Sequence, residues 1–88
     1  MISTKRLQGK MKEMGITIDA LSKQIGLSRT GLFNKIHNKV EFTATEIEEV
    51  GRILKLSASE VFAIFFVNYV DWQSTIWGIR REYEADEG

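Results

Sequence analysis

The amino-acid sequence predicts an all-α domain of five helices, followed by a short C-terminal extension. Signals that start helices recur along residues 3–66, and each precedes apolar residues at the three- and four-residue spacing of a helix. Proline, which interrupts helices, does not occur in the chain. The 88 residues, 43% of them hydrophobic, suffice for one small domain with its own core. We therefore expect a helical domain at residues 1–66 and an extension at residues 67–88.

The first helix is predicted over about residues 3–14. Its apolar residues Leu7, Met11 and Met14 lie on one stripe, because they are spaced by four and three positions. Gly15 follows as a C-terminal cap, since glycine readily adopts the left-handed conformation in which helices often end.

Two further helices follow, separated by a short turn. The second begins at Thr17, whose hydroxyl can accept a hydrogen bond from the first turn, and it ends at Gly26. The third begins at Ser28, another N-cap, and places Leu32 and Ile36 on one face.

The fourth and fifth helices are predicted from two capping boxes. "TATE" at residues 43–46 starts the fourth helix and "SASE" at residues 57–60 starts the fifth, each with a glutamate three residues after its cap. The segment "VFAIFF" at residues 61–66 is apolar almost all round. The fifth helix is therefore predicted to be the central buried one.

Composition excludes several classes of function. Without cysteine the chain has no disulfide and no thiolate metal site, and its single histidine cannot build a zinc site alone. No apolar run approaches the roughly 20 residues of a membrane span, and the start "MISTKRLQGK" does not resemble a secretory signal. From these two observations we expect a cytoplasmic protein. No nucleophile set, phosphate loop or metal cluster is present, so we expect no enzymatic activity and no cofactor.

The net charge of zero conceals an asymmetry between the two halves of the chain. Residues 1–39 carry eight basic and two acidic residues, a net charge of +6. Residues 40–88 carry four basic and ten acidic residues, a net charge of −6. This distribution indicates a basic face for a polyanion and an acidic remainder.

The second and third helices together form the motif that suggests a function. "LSKQIGLSRTGLFNKI" at residues 21–36 consists of a helix, a short turn containing glycine and a second helix, which is the helix-turn-helix arrangement. The small Ser22 lies where these two helices must approach closely. If Leu32 and Ile36 are buried, the outward side of the third helix is polar and suited to the major groove.

Four residues of the third helix are candidates for reading bases. Arginine can pair with guanine, asparagine can pair with adenine, and phenylalanine can contact a thymine methyl group. The candidates are Arg29, Thr30, Phe33 and Asn34. Phe33 has a second interpretation, in which it packs beside the second helix.

Six further residues are candidates for contacts with the DNA backbone. Lysine ammonium groups, cap hydroxyls and free amides at helix starts all bind phosphate without reading sequence. The candidates are Thr17, Lys23, Ser28, Lys35, Asn38 and Lys39. His37, at the end of the third helix, is expected to cap free carbonyl groups.

The chain resembles the lambda repressor/Cro-like helix-turn-helix family, and in particular its small phage or prophage regulators. The resemblance covers roughly residues 3–66 and rests on "LSKQIGLSRTGLFNKI" and "FTATEIEEVGRILKLSASEVFAIFF". It implies sequence-specific binding to operator DNA, usually as a dimer, and therefore a transcriptional regulator such as a compact repressor or a Cro-like protein. The sequence departs from the family pattern at Ile18, where a glutamine is common, and at Ser22, Gly31 and Phe33.

The extension carries the aromatic residues Tyr69, Trp72 and Trp77. Its sequence is compatible with a strand or a helix and does not exclude a disordered segment. These rings are candidates for a homodimer interface, since exposed aromatic patches mark contacts between proteins. The alternative is that they cover the back of the fifth helix.

A second function class stays open beside the DNA-binding one. The same fold can serve as a protein-interaction module, for example an antirepressor, an antitoxin-like protein or a partner of RNA polymerase. Such a partner would bind the acidic half or the aromatic extension.

Overall fold

The computed structural model describes residues 1–67, and this part of the chain forms five α-helices and no strand. The helices are α1 Thr4–Met14, α2 Ile18–Ile25, α3 Arg29–Ile36, α4 Ala44–Ile53 and α5 Ala58–Phe65. The prediction of an all-α domain with five helices is confirmed. The predictions for residues 68–88 fall outside the described part of the chain. Among the five helices, none is both long enough and apolar enough to cross a membrane.

Every helix starts at a hydroxyl side chain, and the four caps predicted for α2 to α5 are all present. In each case the hydroxyl oxygen accepts a hydrogen bond from the backbone N–H three residues later, which satisfies one free amide of the first turn. The five N-caps are Ser3, Thr17, Ser28, Thr43 and Ser57. Both predicted capping boxes are confirmed, because the carboxylates of Glu46 and Glu60 accept hydrogen bonds from the backbone of their own N-caps.

Two helices end at glycines with left-handed backbone, as predicted. Gly15 ends α1 with a φ of 68°, and Gly26 ends α2 with a φ of 74°. Two other residues, Asn38 at 64° and Lys55 at 54°, adopt positive φ without being glycine. They lie in the connections before and after α4, where the chain must reverse.

The core lies mainly where α2, α3 and α4 meet, with a contribution from α1. Its completely buried side chains are Leu7, Leu21, Leu32, Ile36, Val50 and Leu54. The prediction that α5 is the central buried helix is wrong. Of its residues only Ile64 and Phe65 are buried, and Phe62 is 45% exposed. Among the described helices α5 packs mainly against α1 and α4.

The first residues of the chain are fixed to the ends of two helices. The backbone N–H of Ser3 donates to the carbonyl of Ile64 at 2.7 Å, and the hydroxyl of Thr4 donates to the carbonyl of Ile36 at 2.6 Å. Both acceptors are carbonyls in last helical turns, which have no partner within their own helix. The start of α1 is thereby tied to the ends of α3 and α5.

An ion pair joins α1 to α5. The ammonium group of Lys10 lies 3.0 Å from the carboxylate of Glu60 and 3.7 Å from that of Glu13. The hydrogen bond to Glu60 raises the pKa of Lys10 above its ordinary value. The backbone amide of Ser57 and the ammonium of Lys10 together hold the pKa of Glu60 below its usual value.

Candidate nucleic-acid interface

The helix-turn-helix predicted from residues 21–36 is present as α2, a turn and α3. Gly26 ends α2, and the backbone N–H of Leu27 in the turn donates to the carbonyl of Ser22 at 2.9 Å. Ser22 is only 2% exposed, and its hydroxyl donates to the carbonyl of Asp19 at 2.8 Å. Ser22 is therefore a small, buried side chain whose hydroxyl is satisfied within α2; its predicted place at the approach of α2 and α3 stays a prediction.

The two faces of α3 differ as the motif predicts. Leu32 and Ile36 are completely buried and fix the helix on the core. Of the predicted base-reading residues, Arg29, Thr30 and Phe33 are exposed, while Asn34 is half-buried. Phe33 is 43% exposed, and its second interpretation, as a residue packed beside α2, stays a prediction.

Ser28 and Thr17 combine capping with exposure. The Ser28 oxygen accepts from the backbone N–H of Gly31 at 2.9 Å, and the Thr17 oxygen accepts from that of Ala20 at 3.1 Å. Each hydroxyl keeps its own proton, which remains available to a phosphate oxygen. A Cβ at position 31 would lie 2.9 Å from the Ser28 oxygen, so a larger residue there would make the Ser28 side chain shift.

Two of the three lysines predicted to contact the DNA backbone, Lys39 and Lys23, are exposed. Lys39 is exposed and forms no ion pair with the residues that the structure describes. Lys23 is highly exposed and lies 3.5 Å from Asp19, one helical turn earlier. Such an exposed pair is weak and is easily exchanged for a phosphate contact.

Lys35, in contrast, has internal partners. Its ammonium group lies 2.6 Å from the Glu46 carboxylate and 3.3 Å from the carbonyl of Glu41, with only 13% of its side chain exposed. Burial raises the pKa of Glu46, but hydrogen bonds from Lys35 and Thr43 outweigh this effect, and its pKa lies below the usual value. The Lys35 charge is thus paired inside the protein, which disfavours the predicted contact of this residue with the DNA backbone.

Asn38 is also occupied by contacts within the protein. Its side-chain oxygen accepts from the backbone N–H of Ile2 at 2.6 Å, and its side-chain nitrogen donates to the carbonyl of Ile2 at 3.1 Å. The same nitrogen lies 3.4 Å from the hydroxyl of Thr4. The side chain therefore holds the first residues of the chain beside the end of α3, which disfavours its predicted contact with the DNA backbone.

His37 occupies a position that the sequence did not explain. It is the C-cap residue of α3 through its backbone N–H, whereas its ring stacks on the ring of Phe33, with 4.2 Å between the centroids. Its Nε2 atom is buried and has no hydrogen-bond partner within the described residues. The spacing of four residues between the two rings was the only signal in the sequence that pointed to this contact.

The remaining site predictions concern the aromatic residues of the extension and the absence of a metal site. Tyr69, Trp72 and Trp77, the predicted dimer contacts, lie outside the described residues. Within residues 1–67, no group of three or more histidine, aspartate or glutamate side chains could hold a metal ion.

A comparison with known protein families agrees with this geometry. The family model for the Cro/C1-type HTH DNA-binding domain matches residues 6–65, which is more than half of the chain and includes both helices of the motif. No curated protein and no solved structure shows significant similarity to the chain. The chain belongs to the Cro/C1-type helix-turn-helix DNA-binding domain family, whose members are typically not enzymes.

Proposed function

We propose that this protein is a sequence-specific transcriptional regulator that reads operator DNA with α3 in the major groove. The observation that carries the proposal is that α3 has both completely buried and exposed side chains. Leu32 and Ile36 are completely buried in the core, whereas Arg29, Thr30 and Phe33 of the same helix are exposed. A rigidly held helix with exposed side chains of this kind is what base reading in the major groove requires.

The residues of the proposed interface read bases, bind phosphates or add to the general attraction for DNA. Arg29, in the first turn of α3, pairs with guanine, and Asn34 and Thr30 form hydrogen bonds with base edges. Thr17, Ser28, Lys23 and Lys39 bind phosphates and set the position of the helix on the duplex. Lys5, Arg6 and Lys12 of α1 are exposed and unpaired among the described residues, so they add to the attraction for DNA.

The proposed regulator is a compact repressor or a Cro-like protein that acts as a homodimer. The resemblance to small phage regulators supports this form. A single α3 reads few base pairs, and a two-fold partner doubles the number across a palindromic site. We place the dimer contact at Tyr69, Trp72 and Trp77. Sedimentation of the full chain tests this part, and a monomer at tens of micromolar would refute it.

The function itself is tested by selecting bound duplexes from a randomised DNA pool at physiological salt. The expected result is an enriched motif, with two half-sites about one helical turn apart for a dimer. A pool without enrichment would refute the proposal and favour the protein-interaction module instead.

A matched pair of arginine variants sharpens this experiment. Arg29→Ala is expected to weaken binding to the selected sequence by about 1–3 kcal/mol and to relax the preference at one base pair. Arg52→Ala removes the same charge from an exposed position on α4, so it controls for the change in net charge. Equal losses in the two variants would contradict the role given to Arg29.

A further inference from the structure

An aromatic pair lies on the otherwise polar exposed side of α3. Phe33 is 43% exposed, and its ring is tilted by 39° against the ring of His37 at a centroid distance of 4.2 Å. The two residues are one helical turn apart, so they are neighbours on the same face. They share that side of α3 with Thr30, and Arg29 and the Ser28 cap lie one turn earlier.

The backbone and the burial of His37 fix the position of this residue at the end of α3. His37 is half-buried, follows the completely buried Ile36, and donates its backbone N–H to the carbonyl of Phe33 at 3.0 Å. Its buried Nε2 atom makes no hydrogen bond within the described part of the chain. The His37 ring stacks on the Phe33 ring at 4.2 Å, and this contact restricts the orientation of Phe33.

The chemistry of a phenyl ring limits what it can recognise in duplex DNA. It neither donates nor accepts a conventional hydrogen bond, so it cannot read the polar edge of any base. The one apolar group that base pairs present in the major groove is the 5-methyl group of thymine. Contact with that methyl group removes apolar surface of both partners from water.

We propose that Phe33 reads the 5-methyl group of a thymine in the operator, and that His37 is the positioning residue that holds its ring for this contact. This inference rests on the proposed function and adds a specific base to it. Arg29 and Asn34 then select bases by hydrogen bonds, whereas the aromatic pair selects thymine by its methyl group alone.

The test replaces each thymine of the selected operator by deoxyuridine, one position at a time, and measures the affinity of the full-length protein. Uracil keeps every hydrogen-bonding group of thymine and lacks only the methyl group. At one thymine of each half-site, the wild type is expected to bind about fourfold more weakly, the value for one buried methyl-sized group. Phe33→Ala is expected to bind the thymine and uracil operators equally.

Two variants of His37 separate positioning from folding. In His37→Ala the thymine-to-uracil ratio is expected to fall towards one, while the preference for the base pair read by Arg29 persists. His37→Phe restores a stacked ring without the nitrogen atoms, and it is expected to keep the ratio. Thermal unfolding of each variant shows that it is folded at the temperature of the assay, and a change in folding alone would leave the ratio unchanged.

Three outcomes would overturn the inference. An operator without any methyl-dependent thymine would refute it and leave the proposed function standing, with the aromatic pair then free for a protein partner. A methyl-dependent thymine whose effect persists in Phe33→Ala would assign the contact to another residue. A randomised pool without any enriched sequence would refute this inference together with the proposed function.

Discussion

The two connections that flank α4 contain the same kinds of residue and contact, but those of the first connection are more shielded from solvent. The first connection, residues 37–43, joins α3 to α4, and the second, residues 54–57, joins α4 to α5. Each contains one non-glycine residue with positive φ, Asn38 or Lys55. Each connection also ends in a capping box, and the glutamate of that box forms an ion pair with a lysine from another helix.

The difference lies in how far these groups are withdrawn from water. At the first connection Lys35 and Glu46 are 2.6 Å apart, with side chains 13% and 15% exposed. At the second, Lys10 and Glu60 are 3.0 Å apart, and the Glu60 side chain is 40% exposed. Charged pairs shielded from solvent interact more strongly than exposed ones and are costly to break. The connection beside the proposed DNA-reading helix is therefore the more firmly held.

The side chains with positive φ differ in the same direction. Asn38 makes hydrogen bonds to both backbone groups of Ile2. Lys55 makes no side-chain hydrogen bond or ion pair within the described residues. The comparison teaches that identical local signals can serve either a tertiary anchor or a simple change of direction. Only the surroundings decide between the two.

Truncating Glu46 is expected to have the largest effect on stability. Glu46→Ala removes half of a capping box and leaves the half-buried Lys35 ammonium group without its carboxylate, so we expect a loss of about 2–3 kcal/mol. Urea unfolding measures this loss. Glu60→Ala is the matched control at the second connection and is expected to lower the unfolding midpoint less. A larger loss for Glu60→Ala would reverse the comparison.

Protonation of Glu46 at low pH is expected to lower the stability of the protein less than the Glu46→Ala substitution does. The pKa of Glu46 is lowered from its ordinary value of 4.5 in the folded protein, so the unfolded chain takes up a proton more readily. The stability that this carboxylate contributes is fully present above that value, and it is lost as the pH falls through the lowered pKa. Unfolding midpoints of the wild type and Glu46→Gln, measured across this range, are expected to converge at low pH. Parallel curves would contradict a stabilising charge on Glu46.

Removing the Asn38 side chain is expected to cost less. Asn38→Gly keeps a residue suited to positive φ and deletes the hydrogen bonds to Ile2, with an expected loss of about 1 kcal/mol. Asn38→Ala also places a Cβ in left-handed backbone, which adds about 1 kcal/mol. Thermal unfolding distinguishes the two variants. Equal losses would mean that backbone conformation is unimportant at this position.

The smallest effect is expected at Lys55. Lys55→Gly relieves the left-handed strain, but glycine loses more backbone freedom on folding, so stability is expected to rise by about 0.5 kcal/mol or less. The same thermal unfolding measurement gives the result. A loss as large as that of Asn38→Gly would show that Lys55 has an anchoring role after all.

Much of the fold was predictable because helix starts are encoded locally. "TATE" and "SASE" specify a cap and its glutamate within four residues, and both boxes form as predicted. The two glycine ends, at Gly15 and Gly26, are equally local. The burial of α5 was predicted wrongly, because composition shows how apolar a helix is but not how many neighbours cover it.

The candidate site was harder to predict, because an isolated sequence does not show where a side chain finds its partner. Lys35 and Asn38 have the residue types of phosphate ligands, yet their partners, Glu46 and Ile2, are 11 and 36 residues away in the chain. The stacking of His37 on Phe33 depends on which face of α3 is covered. These contacts arise from tertiary packing, which the local pattern does not specify.

The contact between Asn38 and Ile2 has a consequence for amide hydrogen exchange. The first amides of a chain ordinarily exchange with solvent fastest, because nothing protects them. Here the amides of Ile2 and Ser3 donate to Asn38 and to the carbonyl of Ile64 at 2.6 and 2.7 Å. Exchange at Ile2 therefore requires the end of α3 to release it, and a duplex that holds α3 in place would slow that exchange. The Ile2 amide thus reports how often the end of α3, the proposed DNA-reading helix, releases the first residues, and the Ser3 amide reports the same for the end of α5.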